Sequence, residues 1–174
     1  GFITRKYSDH LMYSVNCIDG KNEPELLNKA SAIWTREKKD ISAEQYEEFY
    51  KQIGAGFNKP LLTLHNKVEG TLSYINLLFI PDSRPFDLFQ MDVKSKIKLY
   101  SNRVLITDDS ESILPRWLRF VKGIVDTSDI DLNVSREMLQ HNVTLNKISK
   151  ALKKRVINEL KKMKDKDQEK YSSF

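Results

Sequence analysis

The chain has a single cysteine, Cys17. An internal disulfide is therefore excluded, and a lone thiol fits a reducing compartment. Cys17 has no histidine or basic partner close to it in sequence, so it is expected to be a buried strand residue and not a nucleophile. No apolar run approaches the roughly 18–20 residues that span a bilayer. Nothing resembles a signal peptide, which sets a cytoplasmic expectation. The three histidines, His10, His65 and His141, stand far apart and lack the spacing of metal ligands, so no zinc site is expected. No Walker-type loop occurs anywhere, and Gly54-Ala55-Gly56 is not a phosphate-binding fingerprint. The chain thus shows no nucleotide site of its own. Acidic residues are plentiful but scattered, and no hydrolytic carboxylate pair stands out. There is no internal repeat and no low-complexity linker. Gly1 has no initiator Met before it, which points to an excised piece of a longer protein.

What is present is enough for one core. The 174 residues are 40% hydrophobic and 10% aromatic, as expected of a soluble globular domain with room for an appended element. The net charge of +5 is unevenly placed. Residues 147–170 hold ten Lys or Arg against four Asp or Glu, so the basic excess belongs to this one segment and the remainder is close to neutral. A basic helix can bind nucleic acid or an anionic membrane, or it can be the solvated face of an amphipathic helix. No aromatic residue interleaves the lysines, which counts against base stacking.

The apolar pattern alternates between strand and helix periods. Leu11 to Ile18 reads as a first strand. Ser42 and Gln45 form a capping-box pattern, and Tyr46, Phe49, Tyr50 and Ile53 mark one face of the helix behind it. Gly54 and Gly56 end that helix. Leu61 to Leu64 and Leu72 to Ile80 read as strands, with Pro81 stopping the second and a turn over 82–85. Ile97 to Ile106 reads as one long strand. Pro115 opens a short helix through Trp117 and Phe120, and Val121 to Val125 returns as a strand. From Thr144 onward, Leu145, Ile148, Leu152, Val156, Leu160 and Met163 recur at spacings of three and four. That predicts an amphipathic helix of about five turns, whose stripe covers either the sheet or helices outside this chain.

The most informative stretch is Leu132-Asn133-Val134-Ser135-Arg136-Glu137-Met138-Leu139-Gln140-His141. An Asn-containing turn leads to a serine in N-cap position and an arginine one step into a helix. A helix N-terminus gathers unpaired N–H groups and a positive dipole end, which suits an anion. An arginine there adds a planar fork matched to phosphate oxygens. A capped surface helix, with its arginine in solvent or paired to Glu137, has the same local pattern. The string as a whole resembles the catalytic loop of the ninety-kilodalton heat-shock chaperone family. Other matches follow in the family's order: Ile33-Trp34-Thr35-Arg36, Gln45-Tyr46-Glu47-Glu48-Phe49-Tyr50-Lys51, Leu78-Phe79-Ile80-Pro81, Pro85-Phe86-Asp87-Leu88-Phe89, Ile97-Lys98-Leu99-Tyr100, and Leu118 through Asp126. They run from about residue 26 to the C-terminus. Residues 1–25 match more weakly.

The resemblance implies an α/β fold, a layered sheet-and-helix domain. It would be the large subdomain of the family's middle domain, ribosomal-protein-domain-like, over residues 1–143. Residues 144–174 would start a helical connector. A second, smaller α/β subdomain and a dimerisation domain would follow Phe174 in the longer protein. ATP and Mg would be bound by a separate N-terminal domain of the GHKL class, with no cofactor held here. Arg136 would reach the γ-phosphate when the domains dock, and Gln140 would match the second polar residue of the loop. Asn133 and Ser135 would hold the loop, or serve as ordinary turn and cap residues. Leu105 stands where most relatives carry Phe, at a position that packs toward the N-terminal domain, so coupling of docking to loop release would be weaker. Trp34 matches a tryptophan implicated in client contact, although the residues alone allow it to be core. Trp117 is expected to be structural. The implied partners are the N-terminal ATPase domain, unfolded or partly folded client proteins, and a second copy through the absent C-terminal domain. Membrane is not expected and nucleic acid is disfavoured. The competing reading is a non-enzymatic protein-interaction or nucleic-acid module that uses the basic helix.

Overall fold

A computed structural model describes residues 3, 7–11, 13–18, 25–28, 31–55, 58–83, 96–108, 110, 112–132 and 136–173, with the backbone alone at 96, 136, 140, 170 and 173. Its centre is a five-stranded mixed sheet in the order β3-β4-β7-β5-β6. The strands are β3 (Pro60–Val68), β4 (Tyr74–Pro81), β5 (Lys96–Ser101), β6 (Val104–Thr107) and β7 (Lys122–Thr127). Antiparallel ladders join β3 to β4, β4 to β7 and β5 to β6, while β5 runs parallel to β7. A separate two-stranded ladder pairs β1 (Asn16–Cys17) with β2 (Glu25–Leu26).

The sheet is covered on both faces, and strand alternation sorts the side chains between them. Leu78 and Ile80 of β4, Ile97 and Leu99 of β5, and Val125 of β7 point into one cluster. Leu77 and Phe79 of β4, Tyr100 of β5 and Ile124 of β7 point into the other. Helix α1 (Ala43–Gln52) covers the second cluster with Phe49 and Tyr50. Ser42 caps it: the hydroxyl accepts from Gln45 N–H at 3.3 Å and the Gln45 side chain accepts from Ser42 N–H at 3.0 Å. That reciprocal pairing satisfies two donors at the helix start.

Helix α3 (Val143–Lys166) covers the first cluster. Asn142 caps it by accepting from Leu145 N–H at 3.0 Å. Leu145, Ile148, Leu152 and Val156 are each completely buried. Full burial of such side chains contributes about 1.5–3 kcal/mol each. The stripe therefore covers the sheet, and the first half of this helix is integral to the domain core. Two short helices flank it, α2 (Arg136–Gln140) and α4 (Gln168–Ser173).

Gly123, in the middle of β7, is required by close approach. Its φ is +143°, and a Cβ there would lie 2.2 Å from the carbonyl oxygen of Leu77 on the adjacent strand. No side chain fits that space.

Four expectations are corrected. The span Leu11 to Ile18 supplies only a two-residue strand, and Cys17 is exposed in it. The long strand over 97–106 is a hairpin. Asn102 and Arg103, both at positive φ (49° and 66°), turn the chain between β5 and β6. Two consecutive left-handed residues make the tight turn that matches strand twist. Trp117, expected to be structural, is 59% exposed in the short helix Arg116–Leu118. Among the described residues no helix is long and apolar enough to cross a membrane.

Candidate functional site

The polar groups at the end of β7 form a connected arrangement of hydrogen bonds. Asp126 is at the centre and is buried. Its Oδ2 accepts from the indole N–H of Trp34 at 2.8 Å, and its Oδ1 accepts from the backbone N–H of Arg103 at 3.2 Å. One carboxylate thus ties the turn Ile33–Thr35 and the β5–β6 hairpin to the central strand. A buried carboxylate is tolerated only with such donors around it.

The chain beyond β7 is held at both sides. Thr127 Oγ1 donates to the carbonyl of Ser73 at 2.7 Å and accepts from Asp129 N–H at 3.2 Å. Asp129 Oδ2 accepts from Ser73 N–H at 2.8 Å. Ser101, the last residue of β5, is completely buried and donates its hydroxyl to the carbonyl of Ile130 at 2.6 Å. After this root come residues 131 and 132, then α2, which begins at Arg136. Leu139 anchors α2 in the core. A groove of about 400 Å³ opens beside the root, bounded by Lys67, Ser73, Arg103, Asp126 and Ser128.

Trp34 is 1% exposed. Its ring packs against Tyr100 (4.9 Å between centroids), Phe49 (5.8 Å) and His10 (4.6 Å, edge-on). The expectation of a ring offered to client proteins is corrected: the aromatic body fills the core and its one donor is already engaged. Leu105 is also buried, in the same cluster as Trp34 and Phe49. Its side chain completes the interior of this domain.

His65 supports Trp34 from below. The Trp34 carbonyl can only accept, so His65 Nε2 carries the proton that bridges the 2.8 Å between them. Nδ1 is then free to accept from the Tyr46 hydroxyl at 2.7 Å. Burial depresses the His65 pKa below its ordinary 6.5; the Trp34 bond opposes this, Lys38 adds to it and Glu37 offsets it. Between the depressed value and 6.5 the unfolded chain binds a proton that the folded chain resists. The stabilisation is therefore complete above pH 6.5 and is lost as pH falls below it. The expected result is a stability that declines on acidification below pH 6.5, with a shallower decline in His65→Gln. Urea midpoints measured between pH 5 and 8 check this; equal slopes in the two proteins would remove His65 as the cause.

Two further groups on the Trp34 face are shifted. Burial, helped by Asp126, Asp9 and Asp108, pushes the Tyr100 hydroxyl well above the usual phenol range. Burial also lowers the Lys98 pKa, with Asp108 opposing.

Of the residues singled out in the sequence, Arg136 and Gln140 are the two ends of α2, and their side chains lie outside the described residues. Asn133 and Ser135 lie outside them entirely. Sequence reasoning gave no role to Asp126, Ser101, Thr127 or Asp129. The only signal was an acidic residue closing the apolar run Ile124-Val125-Asp126. Among the described residues no group of three or more His, Cys, Asp or Glu is placed to hold a metal ion.

The sequence model described as Hsp90 protein matches residues 13–174. The Chaperone protein HtpG of Paramagnetospirillum magneticum is 51% identical over 172 residues, covering 99% of this chain and 28% of that protein. The HtpG of Orientia tsutsugamushi is 47% identical over 172 residues, covering 99% and 27%. That of Rickettsia rickettsii is 48% identical over 174 residues, covering 99% and 28%. The chain spans a little over a quarter of the length of these relatives, and across almost all of its own length it belongs to the Hsp90 family.

Proposed function

We propose that this chain is the large α/β part of the middle domain of an ATP-dependent Hsp90-family chaperone, and that its catalytic contribution is Arg136. ATP, with Mg, is held by a separate N-terminal GHKL domain, and Arg136 meets the γ-phosphate when the two domains dock. The observation that supports this reading is that Arg136 is the first residue of α2, whose Leu139 packs in the core. An arginine at a helix start is suited to an anion delivered from outside. Phosphoryl transfer gains more from positive charge on the equatorial oxygens than from covalent help. An arginine supplied by a second module also makes hydrolysis depend on closure. Asn133, Ser135 and Gln140 complete the loop in this reading, and Leu105 backs the surface that meets the N-terminal domain. Relatives named as chaperones support unfolded or partly folded proteins as clients of the whole protein; a cytoplasmic location and a dimer joined through its C-terminal region are what the family resemblance implies. Client contact is assigned to surfaces other than the Trp34 ring.

The test mixes this chain with the N-terminal domain of its own protein. ATP turnover is expected to rise on mixing, and calorimetry of the chain alone is expected to show no stoichiometric micromolar ATP binding. Unchanged turnover, together with salt-dependent nucleic-acid binding by the chain alone, would favour the basic helix as an interaction module instead.

A further inference from the structure

We infer that Lys98 is a lysine acylation site, its amine taking an acyl group from a small acyl phosphate that enters the cavity beside it. The inference stands apart from the role proposed for Arg136. Lys98 lies on β5 two residues before Tyr100 and in register with Ile124 of β7, so strand alternation turns it to the face covered by α1. A lysine is out of place on such a face, because an ammonium withdrawn from water needs a partner. Lys98 is half-buried, and among the described residues no hydrogen bond or ion pair engages its Nζ. What lies against it is a cavity of about 200 Å³, walled in part by Ile53 and Leu105. Gln52 and Asp108 also line it and both are exposed, so a small molecule reaches the amine from solvent.

The titratable groups facing this space are Asp9 and His10 from the N-terminal segment, Tyr100 from β5 and Asp108 beyond β6. Burial lowers the Lys98 pKa and Asp108 opposes it. At a given pH more of this amine is therefore neutral than in a solvated lysine, and the neutral amine is the nucleophile. In the reaction the nitrogen lone pair attacks the acyl carbon. The bond from that carbon to the phosphate oxygen breaks, and inorganic phosphate leaves with the electron pair. The nitrogen's proton passes through solvent to the departing phosphate. The product is a neutral amide, which removes the charge that burial disfavours. Other lysines lack this combination. Lys67 is paired with Glu69 and Lys162 with Glu159, while Lys154, Lys161 and Lys164 are exposed.

The experiment incubates this chain with acetyl phosphate, native and in guanidinium chloride, and follows acetylation of each lysine by mass spectrometry of proteolytic peptides. At about pH 7.5 Lys98 is expected to react at least about threefold faster in the native chain than in the unfolded one, while Lys154, Lys161 and Lys164 change by less than about twofold. The native Lys98 rate is also expected to level off at a lower pH than theirs. Native Lys98 reacting no faster than unfolded, or levelling off together with the exposed lysines, would overturn the inference, since the cavity would then shield the amine and not activate it. Asp108→Asn is probed with p-nitrophenyl acetate, a neutral donor that the carboxylate does not repel. It is expected to raise the Lys98 rate roughly two- to fivefold, because the group that favours the ammonium is gone. A rate unchanged or lowered would show that access alone sets the reactivity and would overturn the inference too. Should Asp108→Asn fail to fold, the native-to-unfolded ratio of the wild-type chain decides.

Discussion

Trp34→Ala is expected to destabilise the isolated domain by about 3–5 kcal/mol, the cost of emptying a core site of an indole. The ring is 1% exposed and contacts Phe49, Tyr100 and His10. Its loss leaves a void that the sheet on one side and α1 on the other cannot close. A second cost follows, because Asp126 Oδ2 loses the donor it holds at 2.8 Å. A buried acceptor left without its partner is itself penalised by about 1–3 kcal/mol. Single domains have about 5–15 kcal/mol in all, so the variant should stand close to unfolding. Trp34→Phe separates the two terms: it keeps most of the packing and removes the N–H. It should lose less than the alanine variant. Urea unfolding of the three proteins gives the numbers. A loss under about 1 kcal/mol in Trp34→Ala would show that the ring contributes little to the core, and would reopen the client surface for it.

That result bears on how much of the molecule can be read from its residues. Amphipathic elements were legible because periodicity reports burial directly. The stripe Leu145, Ile148, Leu152, Val156 is the buried face of α3, and the Ser42–Gln45 pair caps α1. A tryptophan in an irregular segment carries no such periodicity. Trp34 and Trp117 both sit in single turns of 3-10 helix; Trp34, which the residues left open between core and client surface, is inside, and Trp117, expected to be structural, is out. The hairpin at Asn102–Arg103 was hidden for a related reason. Leu105 and Thr107 continue an alternation that Ile97 and Leu99 begin, and Asn-Arg is a weaker turn signal than Asn-Gly. The arginine of the candidate site stands in a local string that the sequence shows. The groups that hold the end of β7 were not visible there, because Ser101 to Ile130 and Ser73 to Asp129 are bonds between distant parts of the chain. No local pattern encodes which serine meets which carbonyl.

In the full-length protein, Arg136→Ala is expected to cut ATP hydrolysis at least about tenfold while ATP affinity stays similar. Arginine fingers supplied by another module contribute on the order of 10³–10⁵ in GTPases. Unchanged affinity is part of the expectation, because in the proposed reading ATP is bound by another domain and the arginine would engage only charge that develops on transfer. An interaction made only in the transition state lowers kcat and kcat/KM together. The isolated chain should answer differently. Leu139 holds α2 on the core and the Asn142 cap holds α3. Glu137 and Met138, which follow Arg136, are exposed. Losing one side chain at this helix start should therefore shift the melting of the isolated domain by less than about 0.5 kcal/mol equivalent. The two measurements together separate a finger from a structural cation: one protein keeps its stability, the other loses its turnover. A large loss of stability in the isolated chain would place Arg136 among the groups that hold the loop root. A wild-type rate in the full-length variant would return it to an ordinary charge at a helix start and would remove the catalytic contribution proposed for this domain.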